Sequence, residues 1–178
     1  MKSTSQYGGQ RPGGSGQGAK YPLRVFVMES DFFARMFILA MLIKDVRTSV
    51  CGEAAAPAEM LATASQTRPD LILISTAAAA NEGLLGGWIG ALRSEMPSAL
   101  VVCLAETPIL SQIRESLQAG ANGYLSKEDT AVGLVPALLR AARGGFVCSP
   151  GVEAQLRLEQ YHPRPQLVHT PAWQPDPE

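Results

Sequence analysis

Short apolar runs alternate with longer amphipathic stretches through the middle of the chain. Two of the runs, Leu71–Ser75 and Leu100–Ala105, are almost continuously apolar, as in strands that are covered on both faces. The predicted strands are Arg24–Met28, Thr48–Gly52, Leu71–Ser75, Leu100–Ala105 and Gly123–Leu125. The predicted helices are 31–44, 57–65, 83–94, 108–119 and 131–143. This alternation predicts an α/β fold, a (βα)₅ doubly wound parallel sheet with helices on both faces.

Prolines and a glycine indicate where the last two helices begin and end. Thr107 followed by Pro108 matches an N-cap and a first-turn proline, and Gly120 matches a residue that ends a helix. Pro136 falls inside the fifth predicted helix, where a proline removes a backbone hydrogen bond at a cost of about 3 kcal/mol. We therefore expect the fifth helix to begin near Pro136 or to kink there.

The two ends of the chain differ from this core in composition. Residues 1–21 contain six glycines and no long aliphatic side chain, and residues 156–178 contain five prolines and both histidines. Segments of this kind bury too little apolar surface to offset the entropy of ordering them. We expect a glycine-rich disordered tail at 1–21, one domain at 22–155 and a proline-rich tail at 156–178.

Composition excludes several classes of function. Among the 178 residues, 15 Lys and Arg face 16 Asp and Glu, so the net charge of −1 gives no strong field for nucleic acid or an anionic membrane. No apolar run approaches the roughly 20 residues of a membrane-spanning helix. The three cysteines are far apart, which disfavours disulfides and zinc sites. We expect a cytoplasmic protein with no metal, no cofactor, no membrane contact and no direct contact with nucleic acid.

Ligands of flavodoxin-like doubly wound folds, with strand order 2-1-3-4-5, bind beyond the carboxyl ends of the strands. The residues at these ends are Glu29, Ser30 and Asp31, then Ser75 and Thr76, Ala105 and Glu106, and Ser126 and Lys127. No glycine-rich phosphate loop follows the first strand, and GGWIG at 86–90 falls within a predicted helix. The sequence therefore predicts a crevice without a nucleotide-binding loop.

Four segments carry a recognisable pattern: PDLILIS at 69–75, AGANGYLSKED at 119–129, GEA at 52–54 and GGFVCSP at 144–150. Together they resemble the receiver domain of two-component response regulators of the NarL/FixJ type, which is CheY-like. The resemblance extends over most of residues 22–155. It implies a role in bacterial phosphorelay signalling or transcriptional control.

The resemblance also implies a role for each residue of the crevice. Receivers hold magnesium with an acidic pair whose positions are occupied here by Glu29 and Ser30. The phosphoacceptor aspartate is matched by Ser75, the Thr or Ser that senses the phosphoryl group by Ala105, and the conserved lysine by Lys127. Only Lys127 is retained, and the other four positions differ chemically from the family pattern, although Glu29 keeps its negative charge. The resemblance therefore implies a degenerate pseudo-receiver with no catalytic residues.

Physical chemistry leads to the same expectation. Magnesium is usually held by one or two carboxylates, and an aspartyl phosphate needs a carboxylate nucleophile, whereas Ser30 and Ser75 are neutral. Three roles remain open for Lys127: an ion pair with Glu29, a solvated remnant, or an anion-binding group. A Ser75–Lys127 catalytic dyad is disfavoured, because no glycines follow Ser75 to shape an oxyanion hole. We expect no phosphoryl transfer and no enzymatic activity.

The first and fifth predicted helices carry apolar residues where the family usually has charged, exposed ones. These residues are Met36, Leu39 and Ile43 in the first helix and Val132 and Leu139 in the fifth. Large apolar patches are rarely left bare on monomers. We expect a helix-1/helix-5 interface with a protein partner or with a second copy, as a possible homodimer.

The residues after Pro150 show no basic amphipathic helix of the kind that reads DNA in NarL/FixJ-type regulators. The expected function is a phosphorylation-independent regulatory module that acts through protein contacts. The alternatives are a sensor that binds a small anion or metabolite in the emptied crevice, and a truncated regulator without a present role.

Overall fold

The computed structural model describes residues 22–77, 85–130 and 133–158. The segments at 1–21 and 159–178, which include most of the predicted tails, lie outside the described residues, as does Val132.

Six parallel strands form one sheet in the order β2-β1-β3-β4-β5-β6. They are β1 (Leu23–Met28), β2 (Thr48–Ala54), β3 (Leu71–Ser75), β4 (Leu100–Ala105), β5 (Gly123–Ser126) and β6 (Val147–Cys148). The predicted α/β class and the order of the first five strands are confirmed. The sequence prediction missed β6 because its two residues are too short to show a periodic pattern. This strand pairs with the first half of β5 and is the edge strand on that side of the sheet.

Helices cover both faces of the sheet. They are α1 (Phe32–Lys44), α2 (Pro57–Thr67), α3 (Leu85–Glu95), α4 (Leu110–Gln118), α5 (Lys127–Thr130), α6 (Leu134–Ala142) and α7 (Pro150–Leu158). One core cluster joins the sheet to α2, α3, α4 and α7, and the other joins it to α1 and α6. The continuous apolar character of β3 and β4 follows from this, since all residues of both strands are buried.

One predicted helix start is wrong and another is confirmed. Thr107 and Pro108 do not begin α4, because Ile109 remains extended and the first helical residue is Leu110. The fifth helix, predicted within 131–143 and expected to begin near Pro136, begins at Leu134, after the separate short helix α5. Pro136 is consequently in the first turn of α6, where its missing N–H would have no helical partner.

The predicted C-terminal signal of α4 is confirmed. Gly120 has a φ of 105°, a conformation that a side chain would disfavour, and the next N–H, that of Ala121, returns to the carbonyl of Ser116 at 2.9 Å. This turn leads the chain directly into β5 and therefore places Lys127 at the carboxyl edge of the sheet.

Candidate functional site: a crevice closed by an ion pair

The predicted crevice residues meet at one edge of the sheet. Parallel pairing aligns Met28 with Ile74 and places the ends of β4 and β5 side by side, with Ala105 opposite Ser126. Glu29, Ser75 and Ala105 are all buried, with exposed fractions of only 1% each. The register of four apolar strands thus assembles the site.

Glu29 directs its carboxylate into this edge. Its Oε1 accepts the backbone N–H of Asp31 at 3.0 Å, and its Oε2 lies 2.8 Å from Nζ of Lys127. Oε2 has no other hydrogen-bond partner among the described residues. The ammonium of Lys127 is therefore the group that compensates a buried negative charge. The structure confirms the ion pair among the three roles left open for Lys127.

A second carboxylate approaches the same ammonium. Oε2 of Glu106 lies 3.2 Å from Nζ of Lys127, although the Glu106 side chain is largely exposed. Burial lowers the pKa of Lys127, but its hydrogen bonds and charge attraction to Glu29 and Glu106 outweigh this effect, and the pKa is raised overall. Lys127 is thus a fully charged cation held between two anions.

Ser75 ends β3 beside this ion pair. Its Oγ is buried and has no hydrogen-bond partner among the described residues. A serine–lysine dyad would need a lysine with a lowered pKa to take the hydroxyl proton. The raised pKa of Lys127 opposes that chemistry.

The donors at this edge do not fit a magnesium ion. Ser30 is exposed and Ser75 is neutral, and both oxygens of the buried Glu29 carboxylate are already engaged. Oδ1 of Asp31 accepts the N–H of Ala34 at 2.7 Å as the N-cap of α1. Magnesium demands near-octahedral oxygen geometry and is usually held by one or two carboxylates. Within the described ranges, no three His, Cys, Asp or Glu side chains are grouped as metal ligands.

Arg35 supports the crevice from α1, and the sequence prediction missed it. Its Nη1 donates to the backbone carbonyl of Glu29 at 2.6 Å, and its Nε lies 3.4 Å from Oε2 of Glu53 on β2. The one signal in the sequence was its isolation, because it is the single charge in the apolar run Phe32–Ile43. It fixes the loop between β1 and α1 and, through that loop, the orientation of Glu29.

The edge beyond β5 is held by Ser149. Its Oγ accepts the backbone N–H of Ser126 at 2.9 Å, and both residues are buried. This bond ties the start of α7 to the residue before Lys127. The sequence prediction missed this contact because it depends on β6, which brings Ser149 to the end of β5.

The predicted apolar surface is present on α1 but not on α6. Met36 and Ile43 are exposed, and Leu39 is half-buried. The expectation that Leu139 is exposed is wrong, because it is only 6% exposed and packs in the core between α6 and the sheet. Seven of the nine residues of α6 are buried. Val132 lies outside the described residues.

Three phenylalanines extend the α1 surface. Phe32, Phe33 and Phe37 are 56%, 80% and 56% exposed. The sequence indicated them only indirectly, since a helix that is apolar all round does not reveal which side meets the sheet.

Within the described ranges, no helix is long and apolar enough to cross a membrane.

No model of a known protein family matches the sequence. Among curated proteins, the transcriptional regulatory protein LnrK of Bacillus subtilis is 26% identical over 134 residues, which are 75% of this chain and 60% of LnrK. The response regulator protein VraR of Staphylococcus aureus is 24% identical over 135 residues, 76% of this chain and 64% of VraR. The chain therefore spans less than two thirds of the length of these relatives.

Solved structures show the same likeness. The receiver domain of the putative response regulator NarL from Mycobacterium tuberculosis is 27% identical, with a TM-score of 0.62 over 69% of this chain and 98% of that chain. A LuxR-family response regulator from Aurantimonas has the same fold, with a TM-score of 0.70, 18% identity and coverage of 79% of this chain and 99% of that chain. The described domain is therefore similar in sequence and in sheet order to the receiver (CheY-like) domains of response regulators of the NarL/LuxR type.

Proposed function

We propose that this domain is a pseudo-receiver: a non-enzymatic, phosphorylation-independent module that acts in two-component signalling or transcriptional control through protein contacts. The observation that carries the proposal is the pairing of Lys127 with Glu29 beside Ser75. A cation already occupies the position between the carboxylates, and the phosphoacceptor position holds a hydroxyl.

The chemistry of the crevice supports phosphorylation independence. Formation of an aspartyl phosphate needs a nucleophilic carboxylate and a cation that neutralises the developing charge on the phosphoryl oxygens. Ser75 Oγ has no hydrogen-bond partner among the described residues, and Lys127 is committed to Glu29 and Glu106. The same two anions oppose the alternative of a small-anion sensor, because an incoming anion would have to displace them.

Protein contact is supported by the exposed apolar face of α1. A partner protein or a second copy of the chain would remove these side chains from water. Direct binding to nucleic acid is not part of the proposal, because the net charge of −1 gives no general attraction to phosphate groups.

The test is treatment of the full chain with acetyl phosphate and magnesium, followed by intact mass measurement. We expect no adduct of about 80 daltons, the mass added by one phosphoryl group. The matched control is the variant Ser30→Asp/Ser75→Asp/Ala105→Thr, which restores the acidic pair, the phosphoacceptor and the hydroxyl of the family pattern. We expect that variant to gain a magnesium-dependent adduct. A magnesium-dependent adduct on the unaltered protein would overturn the proposal.

A further inference from the structure

Helix α3 has a weak backbone for a helix that covers the sheet. Three of its 11 residues are glycines, Gly86, Gly87 and Gly90, whereas α1, α2, α4 and α6 contain none. A glycine inside a helix lowers the equilibrium constant for helix formation about four- to fivefold relative to alanine. Gly90 is exposed, and an added Cβ there would meet no atom within 4 Å. Packing therefore does not require glycine at position 90.

A buried polar group adds to this weakness. The ring of Trp88 packs against the core cluster on this face of the sheet, and its Nε1 is buried with no hydrogen-bond partner among the described residues. An indole N–H that leaves water without a new acceptor favours an open state of the helix, in which water satisfies it. The buried residues that hold α3 closed are Leu85, Ile89 and Leu92. The closed state of α3 therefore has a short apolar contact to set against two unfavourable contributions.

One contact from another helix holds the start of α3. The N–H of Gly86 lies in the first turn, where a helix has no acceptor of its own, and it donates to Oε1 of Glu115 on α4 at 2.8 Å. A carboxylate at this end also interacts favourably with the helix dipole. Gly86 permits the approach, because a Cβ there would lie 2.9 Å from Oε1 and 3.0 Å from Cγ of Glu115. Alanine at position 86 would therefore displace the carboxylate.

We propose that α3 is a conformational switch, which opens and closes while the rest of the domain stays folded, and that the Glu115 carboxylate is the latch of the closed state. Glu115 is exposed, so a contact that engages its carboxylate elsewhere releases α3. In the open state the apolar surface beneath α3 becomes accessible, while the thiol of Cys103 stays covered by α4 through its hydrogen bond with Ser116. This switch involves no phosphoryl group and goes beyond the proposed function, because it operates whether or not the crevice accepts phosphate.

Hydrogen exchange of the full chain, followed by NMR at each amide, tests the independent opening. We expect the amides of residues 89–95 to be protected at least about 100-fold less than those of β3 and β4. Low concentrations of urea should speed the exchange of β3 and β4, which requires global unfolding. They should leave the exchange of α3 nearly unchanged, because a local opening exposes little surface. Equal protection with equal urea dependence would overturn the switch.

Two alanine substitutions in α3 form a matched pair. Gly90→Ala raises helix propensity with no steric conflict and should raise the protection of residues 89–95 about fivefold. Gly86→Ala displaces Glu115, so its protection should be equal to or below that of the wild-type protein. A rise in Gly86→Ala equal to that in Gly90→Ala would overturn the role of Glu115, and no rise in Gly90→Ala would overturn the switch.

Substitution of Glu115 itself tests the latch directly. Glu115→Ala removes the acceptor of the Gly86 N–H and should lower the protection of residues 89–95 at least about fivefold. Glu115→Gln keeps an acceptor oxygen and should stay within about twofold of the wild-type protein. Glu128→Ala removes an exposed carboxylate of α5 and is the control, which should leave the protection of α3 unchanged. Unchanged protection in Glu115→Ala would show that the contact does not hold α3 and would overturn the latch.

Discussion

Replacement of Lys127 by methionine tests whether the ion pair holds the crevice together. Methionine keeps most of the apolar stem and removes the ammonium from Oε2 of Glu29, whose side chain is 1% exposed. Removing one partner of a buried ion pair typically costs 3–5 kcal/mol. Lys127 retains 18% of its side-chain exposure, and Glu29 keeps its bond from the Asp31 N–H, so we expect the lower end, about 3 kcal/mol.

The assay is urea unfolding of the full chain followed by far-ultraviolet circular dichroism at pH 7. The double variant Glu29→Gln/Lys127→Met should be more stable than Lys127→Met alone. Arg157→Met, which removes an exposed partner of Glu153, should change the free energy of unfolding by less than about 0.5 kcal/mol. A loss below about 1 kcal/mol in Lys127→Met would refute the reasoning and make Lys127 a solvated remnant.

The wild-type pair also predicts a pH dependence. The pKa of Lys127 is raised above its ordinary value of 10.5, because attraction to Glu29 and Glu106 exceeds the cost of burial. A raised lysine pKa gives stability that is complete below the unfolded-state value and is lost as the pH rises through the folded-state value. We therefore expect a constant contribution from Lys127 between pH 6 and 9 and a loss only above about pH 10.5. A decline between pH 7 and 9 that Lys127→Met abolishes would show that the pKa of Lys127 is lowered and would contradict this expectation.

Three further changes test the fold around the site. Gly123→Ala places a Cβ 2.6 Å from the carbonyl oxygen of Val147, so urea unfolding should show a loss of about 1–3 kcal/mol in the free energy of unfolding. Gly90→Ala is the control, because open space surrounds Gly90, and it should leave the protein equally or more stable. Equal effects of the two substitutions would contradict the register of β5 and β6. Asp31→Ala removes the N-cap of α1 and should cost about 1 kcal/mol, and Asp31→Ser should recover most of it. Burial raises the pKa of Cys103 to about 12, so mass spectrometry should detect alkylation of this thiol at pH 8 only after unfolding; labelling in the native protein would indicate an open core.

The sequence predicted the strands well because their apolar runs are fixed by burial on both faces. β3 and β4 begin and end at the predicted residues, and the crevice residues Glu29, Ser75, Ala105 and Lys127 follow from these strand ends. Parallel strands bring their carboxyl ends to one edge wherever they pair, so the site depends on few tertiary details. The Glu29–Lys127 pair could therefore be predicted.

Other features depended on contacts that periodicity does not encode. Arg35 and Ser149 support the site through bonds to backbone groups that lie six or more residues away, and the sequence contains no pattern for them. The burial of Leu139 was mispredicted because family averages place that position in solvent. In this protein α6 begins at Leu134, three residues after the predicted start, and most of its residues, including Leu139, are buried in the core.

The amino-acid sequence by itself determined which chemical groups end the strands at the crevice: the serine Ser75, the carboxylates Glu29 and Glu106, and the lysine Lys127. It also determined that α1 would be apolar on every side. Only the tertiary structure decided where the charges and the apolar surface face. Packing of α1 through Ile38 and Leu42 turns its phenylalanines outward, and the sheet register brings the Lys127 ammonium to the Glu29 carboxylate, because both outcomes depend on which surfaces the other elements bury.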